Sequence, residues 1–378
     1  MKKIMIFAAI ATLFVVSCNK ETPAGDNGGR NLIFKASIEN VTSKATLSDD
    51  LALLWSAGDE IGIYVTDEGW KTKNQPFKLI GNGGSAQGEF QYEYGDFNAQ
   101  HPAFAFFPWT GSTSNDNNVY EGTMYFKMKG GAYYDYTSGQ LLAPLVANLS
   151  DEDPTNIHFK YVGGVVKVSV KNVPGEVHSI GMTIAGWNIH EDFSVNPSQA
   201  GTCSVAATAG NDDTIWLNIP TASSARDYVF IFPVPTVTPT SISFVMYDSS
   251  NYKVWSKSVK NPQAIGRAEA LVMPEVEYAF SEKAYYSGFT TPADYELCGS
   301  FTDWGDHPIA MVTDMTWSVA RNVEMAAGAA FKVRVNNDWE HAYPSNNYVV
   351  NEAGTYNVLF NNSTHEIKLV SVGTYPDL

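Results

Sequence analysis

The sequence predicts an all-β protein built from several β-sandwiches. Helical periodicity is almost absent from its 378 residues, and short runs in which apolar and polar residues alternate are separated by Gly, Asn, Pro and Asp. A chain of this length exceeds the size at which one hydrophobic core keeps growing, so two or three domains are expected. The clearest alternating runs are Leu32 to Ile38, Val165 to Val173, Thr214 to Pro220, Tyr228 to Val234 and Ser241 to Tyr247.

The N-terminus has the pattern of a secretion signal. Two lysines precede an apolar run from Ile4 to Val16, which is shorter than the roughly 20 apolar residues that span a bilayer. The motif VVSC, which ends at Cys18, resembles a bacterial lipobox. We therefore expect a signal peptide over residues 1–17, lipidation of Cys18 that anchors the chain to the outer membrane at the cell surface, and a flexible tether over residues 18–30. An ordinary secretory signal with a chance cysteine is the alternative.

The net charge excludes two classes of partner. The formal charge of the whole chain is −16. Loss of the signal peptide removes two lysines, which leaves 22 basic against 40 acidic side chains and a charge of −18. Such a field repels nucleic acid and anionic membrane surfaces. With Cys18 lipidated, Cys203 and Cys298 remain in different predicted domains, so we expect neither a disulfide nor a cysteine metal site.

Two changes in composition mark predicted domain joints. Residues 147–156, ANLSDEDPTN, are acidic, contain Pro and lack periodicity, and they separate an aromatic-rich segment from a Val-rich one. The second joint lies between Pro274 and Ala284, where one series of strand-like runs ends and another begins.

The stretch from Ala45 to Val65 reads ATLSDDLALLWSAGDEIGIYV. Trp55 ends an apolar run, a turn follows, and the alternation then resumes. This stretch resembles the W..GD.IG.Y signature of the fimbrillin-like (Mfa-like) lipoproteins of Bacteroidetes, and the similarity continues through IHFKYVGGVVKVSVKNV to residue 278. The resemblance implies two transthyretin-like β-sandwiches, over residues 31–146 and 151–278.

The function of this family is not fixed by its signature, because the family includes pilus stalk, tip and anchor subunits. Stalk subunits are cut after an Arg beyond the first strand, which opens a groove for a donor strand. Here no Arg lies between Arg30 and Arg226, so a cut at Arg30 would leave the strand from Leu32 to Ile38 in place. We interpret Trp55 as a core residue rather than a ligand platform.

The sequence carries no motif for catalysis, for a metal or for a nucleotide cofactor. It contains no G-x-S-x-G, H-E-x-x-H, Walker or G-x-G-x-x-G motif, and its seven His residues lack ligand spacing. Asp151-Glu152-Asp153 lacks the Gly and the distal Glu of an EF-hand, so it is read as a solvated linker. We therefore expect a protein that is not an enzyme and that needs no cofactor.

The last ninety residues have a pattern of their own. From Glu296 they read ELCGSFTDWGDHPIAMVTDMTWSVARNVEMAAGAAFKVRVNNDWEHAYP. This resembles the immunoglobulin-like starch- and glycogen-binding modules, including those of SusE/SusF-type lipoproteins, over residues 284–372. The positions that match the family pattern are Gly299, Phe301, Trp304, Met311, Trp317, Phe331, Lys332 and Trp339. The resemblance implies a third, immunoglobulin-like β-sandwich with a glycan-binding face.

Glucan recognition needs flat rings on which a pyranose can stack and donors that reach its hydroxyls. By resemblance, Trp304 and Trp339 are the two stacking aromatics and Lys332 is the donor. Arg334 shares the strand face of Lys332, and Tyr343 follows Trp339 in a segment whose Asn, His and Pro content predicts a loop, so both are added to the predicted site. The hypothesis requires Trp304 and Trp339 to be exposed side by side. If both were buried, the module would be a structural cap.

Charge selects among glycans. From Ala284 onward there are four basic and eleven acidic residues, a net charge of −7, so a polyanionic glycan would be repelled and a neutral glucan fits best. The first interpretation is thus a lipid-anchored protein whose glycan-binding module binds a neutral polysaccharide or a host glycan. The second is an accessory tip or anchor subunit of a fimbria, or an adhesin, assembled with other fimbrial subunits by strand donation. The third, a glycoside hydrolase, has no nameable pair of catalytic carboxylates.

Overall fold

The structure, a computed structural model, describes most of the chain. The described residues are 32–40, 42–43, 54–65, 74–94, 97, 101–109, 119–120, 123–127, 134–135, 143–149, 153, 155–189, 192–195, 204–211, 213–376 and 378. The predicted signal peptide, Cys18 and the tether lie outside them, as do Asp151, Glu152 and Cys203.

The predicted all-β class is confirmed. Within the described residues there are 31 strands and one short α-helix. The strands up to residue 161 are β1 (Ile33–Ile38), β2 (Thr42–Ser43), β3 (Trp55–Ser56), β4 (Glu60–Val65), β5 (Asn74–Leu79), β6 (Gly83–Ser85), β7 (Gln87–Gln91), β8 (Pro102–Phe107), β9 (Val119–Tyr120), β10 (Thr123–Lys127), β11 (Tyr134–Asp135), β12 (Leu145–Asn148) and β13 (Asn156–Tyr161).

The next strands are β14 (Gly164–Val173), β15 (Val177–Ile184), β16 (Trp187–Asn188), β17 (Asp192–Val195), β18 (Thr208–Ala209), β19 (Thr214–Asn218), β20 (Arg226–Val234), β21 (Ser241–Asp248), β22 (Lys253–Lys260), β23 (Glu269–Val272) and β24 (Val276–Glu277). Helix α1 (Glu282–Tyr285) precedes β25 (Thr291–Gly299), β26 (Ile309–Thr313), β27 (Trp317–Met325), β28 (Ala330–Val335), β29 (Asp338–Val349), β30 (Gly354–Asn361) and β31 (Ile367–Ser371). In this described part of the chain, no helix has the length and apolar character needed to cross a membrane.

The first unit is a closed sheet of seven strands in the order β1, β13, β12, β8, β4, β5, β7. β1 closes it by pairing in parallel with β13 and antiparallel with β7. Inside, Trp55 is 1% exposed and meets the rings of Phe90, Phe107 and Phe159 edge to face. Such pairs each add about 0.5–1.5 kcal/mol beyond the burial itself, and the interpretation of Trp55 as a core residue is confirmed.

Strand pairing crosses the joint predicted at residues 147–156. The sequence pattern groups β13 with the second sandwich, but β13 pairs with β1 and β12 and belongs to the closed sheet. Conversely, the short strand β2 pairs with β23, more than two hundred residues later. The first two units therefore exchange strands, which single-sequence periodicity cannot reveal because it contains no pairing information.

The second unit packs two five-stranded sheets face to face. One has the order β11, β19, β15, β21, β22 and the other β2, β23, β14, β20, with β24 paired to β14. Alternate residues point into a shared core in which Phe230, Phe232, Phe244 and Ile180 are at most 1% exposed. The long alternating runs predicted around residues 165–173, 228–234 and 241–247 are confirmed as strands of this sandwich.

The C-terminal module follows one strand path, β29, β28, β25, β26, β27, β30, β31. The path folds over a core of its own that contains Leu297, Phe331, Val333 and Phe360, each fully buried. Trp317, one of the residues that match the pattern of the module, lies at the start of β27 and is 6% exposed.

A cluster of tyrosines and carboxylates joins the module to the second sandwich. The Tyr252 hydroxyl in the β21–β22 turn donates to Asp314 Oδ2 in the module at 2.7 Å, and the Tyr375 hydroxyl, beyond β31, donates to Asp248 Oδ2 at 2.8 Å. Tyr285 of α1 lies between them, with its ring 4.8 Å from that of Tyr252. Burial, followed by the bond to Asp314, raises the pKa of Tyr252, so this hydroxyl keeps its proton and acts as a donor.

The variant Tyr252→Phe tests the joint. It keeps the ring stack and removes one hydrogen bond, so we expect a loss of about 1 kcal/mol at the joint. This should appear as roughly fivefold faster tryptic cleavage at Lys283 in α1. The matched control is Tyr247→Phe on the same strand pair, because the Tyr247 hydroxyl has no hydrogen-bond partner in the described part of the chain. Equal cleavage of both variants would contradict the assignment.

Candidate functional site

Strand β28 presents two different faces, as predicted. Phe331 and Val333 are buried in the module core, whereas Lys332 and Arg334 lie on the opposite face. The strand ends in a two-residue turn, because Val335 pairs with Asp338 across Asn336 and Asn337. Both asparagines have positive φ, 46° and 65°, which is the conformation of a type I′ hairpin turn and one that Asn tolerates.

The segment after this turn is a strand and not the predicted loop. Trp339 and Tyr343 both lie in β29, so this prediction is wrong. The strand stands at the end of the module's strand path, and among the described residues it pairs with β28 alone. An edge position explains the polar and Pro-containing sequence, because one side of the strand has no ladder of hydrogen bonds to complete.

A bulge in β29 begins at Trp339. From the pair Val335 with Asp338 to the pair Arg334 with Ala342, β28 advances one residue and β29 advances four. Three residues, Trp339 to His341, are therefore extra on the edge strand. Asp338 braces the bulge, since its Oδ1 accepts the Glu340 N–H at 2.8 Å and its Oδ2 lies 2.7 Å from His341 Nδ1.

The same bulge separates Tyr343 from the predicted site. Tyr343 pairs with Val333, so its side chain lies on the core face of the sheet, because directly paired residues share a face. Its ring stacks 3.9 Å from the ring of His365 and lies 5.7 Å from that of Phe360. Tyr343 thus supports the end of the core on the face opposite Lys332 and Arg334.

Trp304 is carried by a strained turn that covers strand β25. A 3₁₀ turn spans Asp303–Gly305, and its three residues have positive φ, 45°, 51° and 111°. The turn is anchored by Thr302, whose buried Oγ1 accepts the Gly299 N–H at 2.8 Å. Gly305 has no substitute here, because a Cβ would lie 2.6 Å from Arg334 Nη1. Strained backbone of this kind concentrates at functional sites.

The two tryptophans lie side by side on the surface. Their ring centroids are 6.5 Å apart and their planes are inclined by 49°. Trp304 is 39% exposed and Trp339 is 45% exposed. The glycan-binding hypothesis requires two exposed tryptophans side by side, and the structure shows this arrangement.

The sequence predicted that Arg334 faces solvent beside the two tryptophans. In the structure it lies beneath them. It is 3% exposed, its Nε donates to Glu296 Oε1, its Nη2 donates to the Gly305 carbonyl at 3.3 Å, and its Cζ lies 4.8 Å from the Trp339 ring centroid. Glu296 also accepts the Asn337 N–H at 3.0 Å. One guanidinium thus connects the turn of Trp304 to the bulge of Trp339.

Glu296 and Gly305 are the residues that sequence reasoning missed. For Glu296 the signal is its position next to Leu297 and Cys298, which are both fully buried, while its pairing with Arg334 is known from the structure alone. Two opposite charges on adjacent, largely apolar strands indicate a buried ion pair.

Lys332 is partly exposed, and its ammonium group makes one hydrogen bond within the module. Its Nζ donates to the Ser345 carbonyl on β29 at 2.8 Å, which leaves further N–H donors of the ammonium group for other partners.

Cys298, the cross-strand neighbour of Lys332, is fully buried, and burial raises the pKa of its thiol. The thiol therefore stays protonated and is a poor nucleophile.

The described part of the chain contains no group of three or more His, Cys, Asp or Glu side chains that could hold a metal ion. What the site offers is two exposed rings, a rigid support and one ammonium group. This arrangement can bind a ligand that stacks on the rings.

Comparisons with known proteins identify distant structural neighbours only. No protein-family model and no curated protein matches the sequence. Among solved structures, the chain aligns with a candidate cell adhesion protein from Bacteroides ovatus at 14% identity and a TM-score of 0.41, over 66% of this chain and 93% of that one. It also aligns with a fimbrial protein from Bacteroides ovatus at 11% identity and 0.31, over 80% and 68%.

A third neighbour is the fimbrial anchor protein Mfa2 from Porphyromonas gingivalis, at 10% identity and a TM-score of 0.25, over 60% of this chain and 82% of that one. Identities and TM-scores at this level do not establish a shared function.

The variant Arg334→Met tests the support beneath the rings. It leaves the Glu296 carboxylate without its cation, and breaking one partner of a buried ion pair typically costs about 3–5 kcal/mol. We expect a lower midpoint of thermal unfolding and red-shifted tryptophan emission. The control is Arg321→Met, an exposed arginine whose Cζ lies 4.7 Å from the Tyr286 ring centroid. Similar destabilisation in the two variants would contradict the role of Arg334.

The Asp338 brace predicts a pH dependence. The bond between the two side chains lowers the pKa of Asp338 and raises the pKa of His341. The contribution of His341 is complete below its ordinary pKa of about 6.5 and is lost as the pH rises through its raised value. The contribution of Asp338 is present above its ordinary pKa of about 3.8 and is lost as the pH falls through its lowered value. The bulge should thus be most ordered between about pH 4 and 6.5.

An NMR titration of the His341 ring measures this effect. In Asp338→Asn the pKa of His341 should fall back towards its ordinary value, while in a control Glu324→Gln, an exposed acid on β27, it should not move. A His341 pKa that is the same in all three proteins would refute the brace.

Proposed function

We propose that this protein is a non-enzymatic glycan-binding protein whose C-terminal module binds a neutral glucan such as starch or glycogen at Trp304 and Trp339. The observation that carries the proposal is the pair of exposed indoles 6.5 Å apart. Exposed aromatic rings on soluble proteins commonly mark binding sites. The C–H faces of a pyranose supply the flat apolar surface that such rings bind.

The inclination of the rings favours one glucan geometry. Two coplanar rings would suit a flat, extended chain such as a β-linked glucan. Planes inclined by 49° suit a chain that turns between successive sugars, as α-linked glucans do. The module's net charge of −7 supports an uncharged ligand, because a polyanionic glycan would be repelled.

The predicted site residues have different tasks in this proposal. Trp304 and Trp339 stack on the sugar, and Lys332 donates to a hydroxyl with the N–H groups that Ser345 leaves free. Arg334 holds the two rings at a fixed angle from below, which lowers the entropy lost on binding. Tyr343 supports the bulge from the core side, where its ring stacks on His365.

The proposal includes a location for the protein, the outer membrane at the cell surface. Lipidation of Cys18 would anchor the chain in the outer membrane, and the acidic, tether-linked domains would carry the module away from it at the cell surface. Two signals in the sequence support this, the lipobox-like VVSC and the polar, Gly-rich residues 19–30. Protease treatment of intact cells tests it, because a chain that faces the periplasm would stay intact.

Affinity electrophoresis tests the binding site. In gels that contain amylopectin, glycogen or pullulan, the wild-type chain should be retarded, and Trp304→Ala and Trp339→Ala should each weaken binding about tenfold or more, which corresponds to ~1.4 kcal/mol. The control is Met315→Ala, since Met315 is 75% exposed in the same module but lies outside the pair. Unchanged mobility of the wild type on every glucan, or retardation that survives Trp339→Ala, would sink the proposal.

An accessory fimbrial subunit, at the tip or the anchor, is the second candidate. It is favoured by the sequence resemblance over residues 31–278, which is the larger part of the chain, and by the two consecutive all-β units there, a closed sheet and a sandwich. The C-terminal module would then be a cap or an adhesin for protein. Immunogold labelling of fimbriae and co-purification with stalk subunits would support this role, and label that is absent from fimbriae would exclude it.

A further inference from the structure

A second candidate site lies on the first unit, remote in sequence from the tryptophan pair. A groove of about 600 Å³ runs over the outer face of the closed sheet, which is within the usual size range of small-molecule sites. Its floor consists of outward-facing side chains from β1, β7 and β13. These are Lys35, Ser37, Gln87, Glu89, Asn156 and His158.

Strand register arranges these side chains as a grid of two rows. In one row Lys35 lies between Glu89 and Asn156, and in the other Ser37 lies between Gln87 and His158. Neighbouring positions on one face of a sheet are about 5 Å apart across strands and about 7 Å along them. The grid therefore presents polar groups over a patch the size of a few sugar rings.

A wall and an apolar contact border the grid. The chain leaves β5 at Ile80, which is 44% exposed, and turns through Asn82 and Gly83 beside the groove. Gly83 has φ 74°, and a Cβ there would lie 2.3 Å from the Trp55 carbonyl oxygen. Residues 80–83, which form this wall of the groove, are thus packed against the core of the unit at Trp55.

Most of the grid's polar groups are free to meet a ligand. Within the described residues, Ser37 Oγ and His158 Nδ1 lie 2.7 Å apart, while the side chains of Lys35, Gln87, Glu89 and Asn156 make no hydrogen bond or ion pair. The positive charge of Lys35 and the negative charge of Glu89 balance, so the grid carries no net charge. The groove therefore combines unpaired donors and acceptors, no net charge and one exposed apolar side chain.

We propose that this groove binds a short neutral oligosaccharide, independently of the tryptophan pair. A ligand for this grid must offer hydroxyl groups, which both donate and accept, at several positions on one side and an apolar patch for Ile80. A sugar has this chemistry. Two such sites on one chain would let a branched or long glycan gain affinity by bridging them.

The closed sheet argues against a peptide ligand. Each of the strands β1, β7 and β13 is paired on both sides, so no strand edge is offered along the grid for an extended peptide to extend the sheet. The grid also has no apolar pocket for peptide side chains. An anionic ligand is opposed by the overall negative charge of the protein.

The experiment uses the full mature chain with Trp304→Ala and Trp339→Ala combined, so that any remaining glycan binding cannot come from the C-terminal module. Saturation-transfer NMR is recorded with maltotriose, mannotriose and the N-acetylglucosamine trimer, each at about millimolar concentration. At least one sugar should give a signal, and the further changes Gln87→Ala and His158→Ala should reduce it fivefold or more. The matched control adds Ser256→Ala and Ser258→Ala, two exposed residues on the outer face of β22.

Each outcome decides the proposal. Loss of signal in the groove variant, with the control unaffected and both variants unfolding at the temperature of the parent, supports it. No signal from any of the three sugars on the doubly substituted chain overturns it, and so does a signal that survives the groove changes or binding of a Gly-Ser hexapeptide in place of sugar. Because the parent lacks both tryptophans, each result is independent of whether the C-terminal module binds glucan.

Discussion

The pair formed by Arg334 and Glu296 is the interaction on which the exposed surface of the C-terminal module depends. Both side chains lie on the outer face of a sheet, yet Arg334 is nearly inaccessible because the Trp304 turn and the Trp339 ring cover it. An unpaired charge in this position would be costly, so the cation and the carboxylate hold each other in place. Trp304 and Trp339 are thirty-five residues apart in the chain, and both segments contact the guanidinium group of Arg334. This group suits the role because it presents several N–H donors in one plane.

Irregular pairing separates the two aromatic side chains Trp339 and Tyr343 of β29. A regular hairpin after Asn337 would alternate side chains between core and solvent without interruption. The three extra residues after Asp338 break that alternation and send Tyr343 to the core. Trp339, which follows the pair of Val335 and Asp338 directly, lies on the outer face with or without them. The edge position tolerates the interruption. The groove on the closed sheet is the opposite case, since its grid depends on unbroken register among β1, β7 and β13.

Sequence patterns recovered what is local and missed what depends on pairing. The all-β class, the long strands and the buried Trp55 follow from alternation and turn propensity. The membership of β13 in the closed sheet, the pairing of β2 with β23, and the burial of Arg334 depend on partners between about 40 and more than 200 residues away. The resemblance identified both exposed tryptophans, whereas the bulge that separates Tyr343 from them has no signature in a single sequence.

The joint between the second sandwich and the module has a consequence for how such chains can change. The module begins after α1 and ends before Tyr375, and both of these segments lie in the same cluster around Tyr252 and Asp248. A segment whose two ends meet at one place can be removed or exchanged without rerouting the rest of the chain. The stretch from α1 to Tyr375 is therefore a unit that recombination could replace with another domain while the first two units keep their strand pairing intact.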